Sequence, residues 1–292
     1  MSKMIISADW HLRATRPRCR IDNDWIETQA KALRQLLEIS IDKDAPIIVV
    51  GDLFHSNSDT SFECINMVQK LADCSGELYI LAGNHDLPYH SSENIDKSAI
   101  GVLLKSENVF KIEDLFEKLN LNYSASNFDE PDNESAEYVF KHILTMPSKD
   151  KMDFVDCETP ETLLEKFPNA KWIFTGDYHH NFHYEKNNRH VINSGCLIRQ
   201  VADMKDYQCG VYFVDTDENI VEFIPIIDNE ELIDDSYITK ENERENRIDD
   251  FVSKLQSTQS VSFDFIDNVQ KSMIANQFTE DLKDVVNELL GV

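Results

Sequence analysis

APIIVVGDLFH, residues 45–55, is a short apolar, β-rich run that ends in Gly-Asp, and its neighbours on either side decide the fold reading. Upstream, NDWIETQAKALRQLLEISI (23–41) carries apolar residues at helical spacing, and before it KMIISA (3–8) repeats the strand pattern. Downstream, TSFECINMVQKLADC (60–74) is helical in period and ELYILAGNHD (77–86) is again strand-like. The first half therefore reads β-α-β-α-β. EYVFKHILTM (137–146), KWIFTGD (171–177), RHVINSG (189–195), CGVYFVD (209–215) and NIVEFIPI (219–226) predict further strands, with a helix at TPETLLEKF (159–167). Because the later strands follow one another closely, the expectation is an α/β (α+β) architecture in which a second mixed sheet packs on the first, with helices outside. Residues 124–137, SASNFDEPDNESAE, read as an exposed acidic loop.

Composition shifts near residue 228, which divides the chain into an expected domain at 1–227 and a helical acidic region at 228–292. In the latter, Phe278, Leu282, Val285, Val286, Leu289 and Leu290 form one apolar stripe with Thr279 as N-cap. Such a stripe serves a helical appendage folded on the core, a reduced cap, or a docking element for a partner. The whole chain has 28 basic and 54 acidic residues, a net charge of −26, which repels polyanions at long range. Clustered arginines and bound cations still act within a screening length of about 10 Å. The six cysteines include no CxxC pair and read as free core thiols, and no apolar run suits a membrane helix. The start, MSKMIISADWH, lacks the features of a signal peptide, so the expected location is cytoplasmic, in a bacterium or a phage-infected host.

Four predicted strands end in polar clusters: Asp9-Trp10-His11, Gly51-Asp52, Gly83-Asn84-His85-Asp86 and Gly176-Asp177-Tyr178-His179. A fifth carries His142 internally. Sites in α/β folds gather beyond the carboxyl ends of strands. Each glycine permits a tight turn just before the polar side chain. Taken singly the clusters are weak signals, and His142 alone suits a hydrogen-bonded core residue. Together, imidazole and carboxylate in alternation suit two divalent ions, with one carboxylate able to bridge them. Such a pair clamps a phosphate and activates water without a protein nucleophile, which leaves Cys196 and Ser194 no covalent role.

The ordered set D-x-H, GD, GNHD, strand histidine and G-[HD]-x-H resembles the calcineurin-like metallophosphoesterase superfamily over about residues 3–225. The strings GDLFH and SADWHL are similar to its SbcD and MRN-type DNA-repair nuclease branch, and RATRPRCR with GNHDLPYH leans toward phage recombination nucleases. The resemblance implies a four-layer sandwich. It further implies that Asp9, His11, Asp52 and His179 hold one metal ion, and that Asp52 bridges to a second held by Asn84, His142 and Asp177. His85 matches a histidine that acts as general acid or orienting donor, with Asp86 steadying it, and His55 matches one that positions DNA. The branch usually has histidine where this chain has Asp177, and a carboxylate there favours Mn²⁺, or Mg²⁺, over softer ions. His180, His183 and His190 are expected bystanders.

SADWHLRATRPRCR, residues 7–20, places Arg13, Arg16, Arg18 and Arg20 directly after the Asp-x-His. A loop rimming the site would let them meet phosphates flanking the one being cut; the alternative is a loop that balances nearby carboxylates. The resemblance implies a DNA exonuclease and endonuclease that works as a homodimer with an SbcC-like ABC-type ATPase. Two alternatives stay open: a small-molecule or cyclic-nucleotide phosphodiesterase or phosphatase, and a silent scaffold on the same fold.

Overall fold

The computed structural model describes residues 2–57, 60–127, 132–148, 157–227, 232–234, 236 and 265–290. In chain order the described elements begin with β1 (Lys3–Ser7), α1 (Trp25–Lys43), β2 (Ile47–Val50), α2 (Phe62–Ser75), β3 (Leu78–Leu81) and α3 (Ala99–Leu103). They continue with β4 (Val109–Lys111), α4 (Ile112–Leu119), β5 (Tyr123–Asn127), β6 (Tyr138–His142), α5 (Pro160–Lys166) and β7 (Trp172–Gly176). Strands β8 (Phe182–Lys186), β9 (Arg189–Asn193), β10 (Gly210–Asp215) and β11 (Ile220–Pro225) follow. Local chemistry sets the helix boundaries. The Asp24 side chain caps α1 by accepting from Glu27 N, and Asp44 closes it in the left-handed region at φ 48°. Ser61 caps α2 in the same way, and Thr159 with Pro160 opens α5.

The strands make two mixed sheets, ordered β11-β10-β1-β2-β3-β4 and β5-β6-β7-β9-β8. Strands β1 to β4 are parallel, and β10 adds antiparallel to β1, with Ile5 opposite Phe213. Alternation along these strands feeds two cores. Ile5, Ile47, Val49, Leu78 and Ile80 face α1 and α2 through Leu33, Leu36, Val68 and Leu71. Met4, Ile6, Ile48, Val50 and Leu81 face the second sheet through Phe140, Trp172 and Phe174. Beyond that sheet, α5 covers Val139, Ile173 and Val191 with Leu163 and Phe167. The result is the expected sandwich of two sheets with helices on both outer faces.

Three expectations change. The strands at 209–226 join the first sheet rather than the second, because β10 pairs with the free edge of β1. The stretch expected as an acidic loop begins as strand: β5 pairs in parallel with β6, and the segment 128–131 lies outside the described residues. Lys141, fully buried, donates to Asp132 at 2.8 Å and to Ser126 at 3.1 Å, so at least part of that charge is neutralised inside the fold. Five of the six cysteines are buried, but Cys74 is exposed on α2.

The chain divides into two compact units, Met1–Asp234 and Asp235–Val292. In the second, helices Phe265–Ala275 and Glu280–Leu290 pack Val269 and Met273 against Phe278, Val286 and Leu290. Leu289, expected on the same stripe, is 76% exposed. No helix among the described residues is long and apolar enough to cross a membrane.

Candidate metal centre

The carboxyl ends of β1, β2, β3, β6 and β7 converge, and with them all seven side chains expected to hold metal. Asp9, His11 and His179 bring donor atoms within 4.8 Å of one another, and so do Asp9, Asp52 and His142. His142 Nε2 lies 3.1 Å from Asn84 Oδ1, 3.3 Å from Asp52 Oδ2 and 3.9 Å from Asp177 Oδ1. His142 is the last residue of β6 rather than an internal one, which is why it reaches the same plane as the other strand ends.

The backbone bends to make this possible. Asp9, His11, Asp52 and Asp177 all take left-handed φ values, of 50°, 45°, 52° and 83°. Such positions cost about 1–3 kcal/mol each in a residue with a Cβ and persist only where the surroundings impose them. Gly51 also has positive φ, 90°, but its neighbouring glycines answer a different need. A Cβ on Gly83 would strike the Asp52 carboxylate, and one on Gly176 would strike Val50 O and the His142 ring. These two glycines make room for ligands rather than for a turn.

Hydrogen bonds orient each donor. His142 Nδ1 donates to Val50 O at 2.9 Å, which leaves Nε2 facing the centre. Both oxygens of Asp9 accept from Asp177 N, at 3.0 and 3.1 Å. Asp52 Oδ1 accepts from His85 N at 3.0 Å. Asp52 Oδ2, in contrast, is buried with no hydrogen-bond partner, between His142 Nε2 at 3.3 Å and His11 Nε2 at 3.6 Å. His11 Nε2 and His179 Nε2 face each other at 3.1 Å. Lone pairs and carboxylate oxygens aimed at one another in a buried space repel unless cations sit between them. The donor set therefore fits divalent metal ions.

Charge balance argues the same way. Burial pushes Asp52 up, but His142 and then His11 outweigh it and hold the carboxyl well below its ordinary range. Burial holds Asp9 well above its ordinary value. Burial also depresses His11 and His179, which favours neutral imidazoles with lone pairs free to bind a cation. His142 differs: burial lowers it, yet Asp52, Asp9 and Asp177 together raise it to about 10. One imidazolium among three carboxylates stands where a cation belongs.

His85 lies beside the centre, its ring centroid 4.9 Å from that of His11. Its Nδ1 is 2.8 Å from His55 O, so Nδ1–H donates there and Nε2 is the working nitrogen. Asp86 does not steady His85 as expected. Its buried carboxylate accepts instead from Leu53 N, Phe54 N and Gly83 N at 3.1, 2.9 and 2.9 Å, stapling two strand-end loops together. Burial and the nearby Asp52 push Asp86 up to about 7, while those three N–H groups pull it down.

The expected DNA contacts separate. The His55 side chain meets Arg13, with Nη1 to Nε2 2.7 Å, and its ring stacks on that of His85 with centroids 5.8 Å apart, while its carbonyl meets His85 Nδ1. Arg13 is held on α1, where Gln29 and Trp25 both donate to its carbonyl. Arg16 and Arg18 are exposed on the loop that follows. Arg20 is not on the rim. It is 1% exposed, makes a bidentate pair with Asp22 at 2.7 Å through each nitrogen, and lies over the Trp25 ring. A guanidinium so paired and desolvated is part of the core.

Several supporting residues carry no sequence signal. Gln200 Nε2 donates to Trp10 O at 2.9 Å and His11 O at 3.2 Å, and Asn193 Nδ2 reaches the carbonyls of Tyr178 and His180. These lone amides act on backbone carbonyls, a role no side-chain pattern announces.

The profile of the calcineurin-like phosphoesterase family matches residues 2–197, more than half of the chain. No curated protein matches the sequence. Among solved structures, one described as a novel archaeal phosphodiesterase is 16% identical with TM-score 0.40, over 76% of this chain and 99% of that one. A Thermus thermophilus protein is 10% identical with TM-score 0.44, over 77% and 99%. A putative 5′-nucleotidase from Staphylococcus aureus is 14% identical with TM-score 0.46, over 84% of this chain and 58% of that one. At these scores the structural likenesses carry no argument beyond the family match.

The raised His142 has a measurable consequence. An unfolded histidine titrates near 6.5, so in metal-free protein the stability contributed by His142 is complete below about pH 6.5 and lost as pH rises through 10. A metal ion must displace that proton. Titrating Mn²⁺ into metal-free protein near pH 7.5, in buffers of different ionisation enthalpy, should show release of at least one proton per chain. His142→Gln should lower the release by about one proton, and a buffer-independent heat in the wild type would contradict the assignment.

Proposed function

The chain belongs to the calcineurin-like phosphoesterase family and is a metal-dependent phosphoesterase; from that premise we propose that it cuts DNA phosphodiester bonds, as an exonuclease with endonuclease action, using two metal ions. The observation that carries the catalytic part is the converging donor set, centred on Asp52 Oδ2, which accepts no hydrogen bond and lies between His11 and His142. Asp9, His11, Asp52 and His179 would hold one ion, and Asp52, Asn84, His142 and Asp177 the other. With four oxygen-donor residues among the seven, the set favours Mn²⁺, with Mg²⁺ as the other hard ion. When bound, such a pair supplies positive charge for the phosphate and lowers the pKa of a water molecule.

The chain's own residues do the rest. With Nδ1–H held by His55 O, protonated His85 keeps Nε2–H for the leaving oxygen, and its ring cannot turn away without breaking that bond. The Asp86 staple keeps the Asp52 and His85 loops in register. Arg13, packed against His55 beside His85, would meet a phosphate next to the scissile one. Arg16 and Arg18 extend the same positive rim along the loop, which suits a polymeric phosphodiester.

The net charge of −26 fits an enzyme whose DNA-holding charge resides partly on another protein. We infer that this partner is an SbcC-like ABC-type ATPase, bound by a homodimer of this chain, and that region 228–292 docks it. Deleting residues 228–292 should abolish co-purification with the ATPase while leaving Mn²⁺ binding intact. Retained co-purification would remove the docking role.

A second reading, a small-molecule phosphodiesterase or phosphatase, is favoured by one feature. A cavity of about 280 Å³ opens beside Asn84, His142 and Asp177, and Glu158 in its lining disfavours an additional phosphate there. Two experiments separate the readings. Mn²⁺-dependent digestion of end-labelled linear DNA should fall by about 10²–10⁴-fold in His85→Ala with metal content unchanged. Turnover of a small phosphodiester but not of DNA by the wild type would favour the second reading. Arg16→Gln combined with Arg18→Gln should weaken DNA binding and reduce its salt slope by up to about two, while sparing the small substrate. Equal loss on both substrates would exclude the rim as a DNA contact.

A further inference from the structure

A second group of metal-type donors lies apart from the residues assigned above. His183 and Glu185 stand two apart on β8, and His190 on β9 is directly opposite Glu185 in the antiparallel register. Side chains two apart on one strand, and those facing them on the next, share a face of the sheet. The three donor atoms lie within 4.8 Å of one another. His183 Nε2 is 3.0 Å from His190 Nδ1. Tetrahedral zinc with Zn–N bonds of about 2.05 Å sets two ligand nitrogens about 3.3 Å apart, so the two imidazoles already approach a chelating separation.

His190 is built into place. Its ring is buried and stacks on Trp172 with centroids 4.2 Å apart and planes 11° from parallel. Its Nε2 lies 3.3 Å from Asn219 Oδ1. An amide oxygen only accepts, so Nε2 carries the proton and Nδ1 turns its lone pair toward His183. A hydrogen-bonded distal nitrogen is the usual support of a metal-bound imidazole. His183 and Glu185 are exposed, and among the described residues Glu185 makes no ion pair with lysine or arginine. One fixed ligand and two adjustable ones on a hairpin make a site that an arriving ion can complete.

We propose that His183, Glu185 and His190 form an additional divalent-metal site, separate from the phosphoesterase centre, that takes Zn²⁺ through two imidazole nitrogens, one carboxylate oxygen and water. Two nitrogens and a single carboxylate form a softer donor set than the oxygen-rich centre, so the two sites sort borderline from hard ions. The site is structural. Strand β8 is the edge of its sheet, and its turn to β9 holds Asn187 and Asn188 at positive φ. An ion there ties this hairpin together, and through His190 and Asn219 it couples the hairpin to the β10–β11 turn of the other sheet. The proposal does not depend on which phosphoester the enzyme cuts.

The test uses the full chain, stripped of metal, saturated with Mn²⁺ and then titrated with Zn²⁺. Wild type should bind one more zinc per chain than the His183→Gln, Glu185→Gln double variant. Its melting temperature should rise with zinc by on the order of 5 °C, a shift the variant lacks. Co²⁺ in place of zinc should give the wild type a visible absorption band of low-symmetry coordination that is missing from the variant. Mn²⁺-dependent hydrolysis should agree within about twofold between the two proteins, since neither residue belongs to the centre. Glu185→Gln alone, which keeps both imidazoles and changes one exposed side chain, should weaken zinc by about tenfold or more. Equal zinc counts and equal cobalt spectra in wild type and double variant would overturn the site, and unchanged zinc affinity in the single variant would remove the carboxylate from it.

Discussion

A buried carboxylate oxygen that accepts no hydrogen bond and has only two imidazoles beside it is the constraint on which the rest of the centre turns. Asp52 Oδ2 sits between two imidazole nitrogens in a space closed to water, while Oδ1 is satisfied by the backbone of His85. Leaving such an atom unpaired costs on the order of 1–3 kcal/mol or more, and the neighbouring Asp9 and Asp177 add repulsion. A protein tolerates this only if something positive completes the arrangement. The same atom faces donors from both clusters that could hold a metal ion, which is the position a bridging carboxylate would take.

The surrounding fold supplies what that atom needs at a cost in local strain. Four residues of the donor set occupy left-handed backbone positions close to the ends of short buried strands. The strands are rigid because Ile47 to Val50 and Trp172 to Gly176 are wholly enclosed, so the loops cannot relax toward easier geometry. Gly83 and Gly176 then let the two sheets bring Asp52 and His142 close enough to share a centre. Asp86 fastens the loops at the back through three backbone donors. Strain, close approach and stapling act together: each holds the donors in an arrangement that mutual repulsion would otherwise open.

The positive residues after β1 illustrate how one sequence segment serves two purposes. Arg13 turns toward His55 and the centre, whereas Arg20 turns inward to neutralise Asp22 and cover Trp25. Both orientations follow from α1, whose residues Trp25 and Gln29 hold Arg13 on one side while Thr28 shares Asp22 on the other. An arginine-rich string is thus part rim and part core. Its counted charge overstates what a ligand could meet.

Much of this was legible in the residues themselves. The β-α-β-α-β half and the polar clusters at the strand ends follow from period and turn chemistry, which depend on near neighbours in the chain, while the assignment of seven expected metal ligands among them came from the family resemblance. The edge strands were harder to read: β4, β5 and β8 are short or polar on one face, and β10 looks like any apolar strand until its partner is known. What sequence alone determined is the donor chemistry and the strand ends that carry it. Only the tertiary structure decided which sheet β10 joins, that Asp86 grips backbone rather than His85, that Arg20 is buried, and that His183, Glu185 and His190 share a face. Each of those outcomes depends on which distant segments lie within a few ångströms, and local pattern holds no information about that distance.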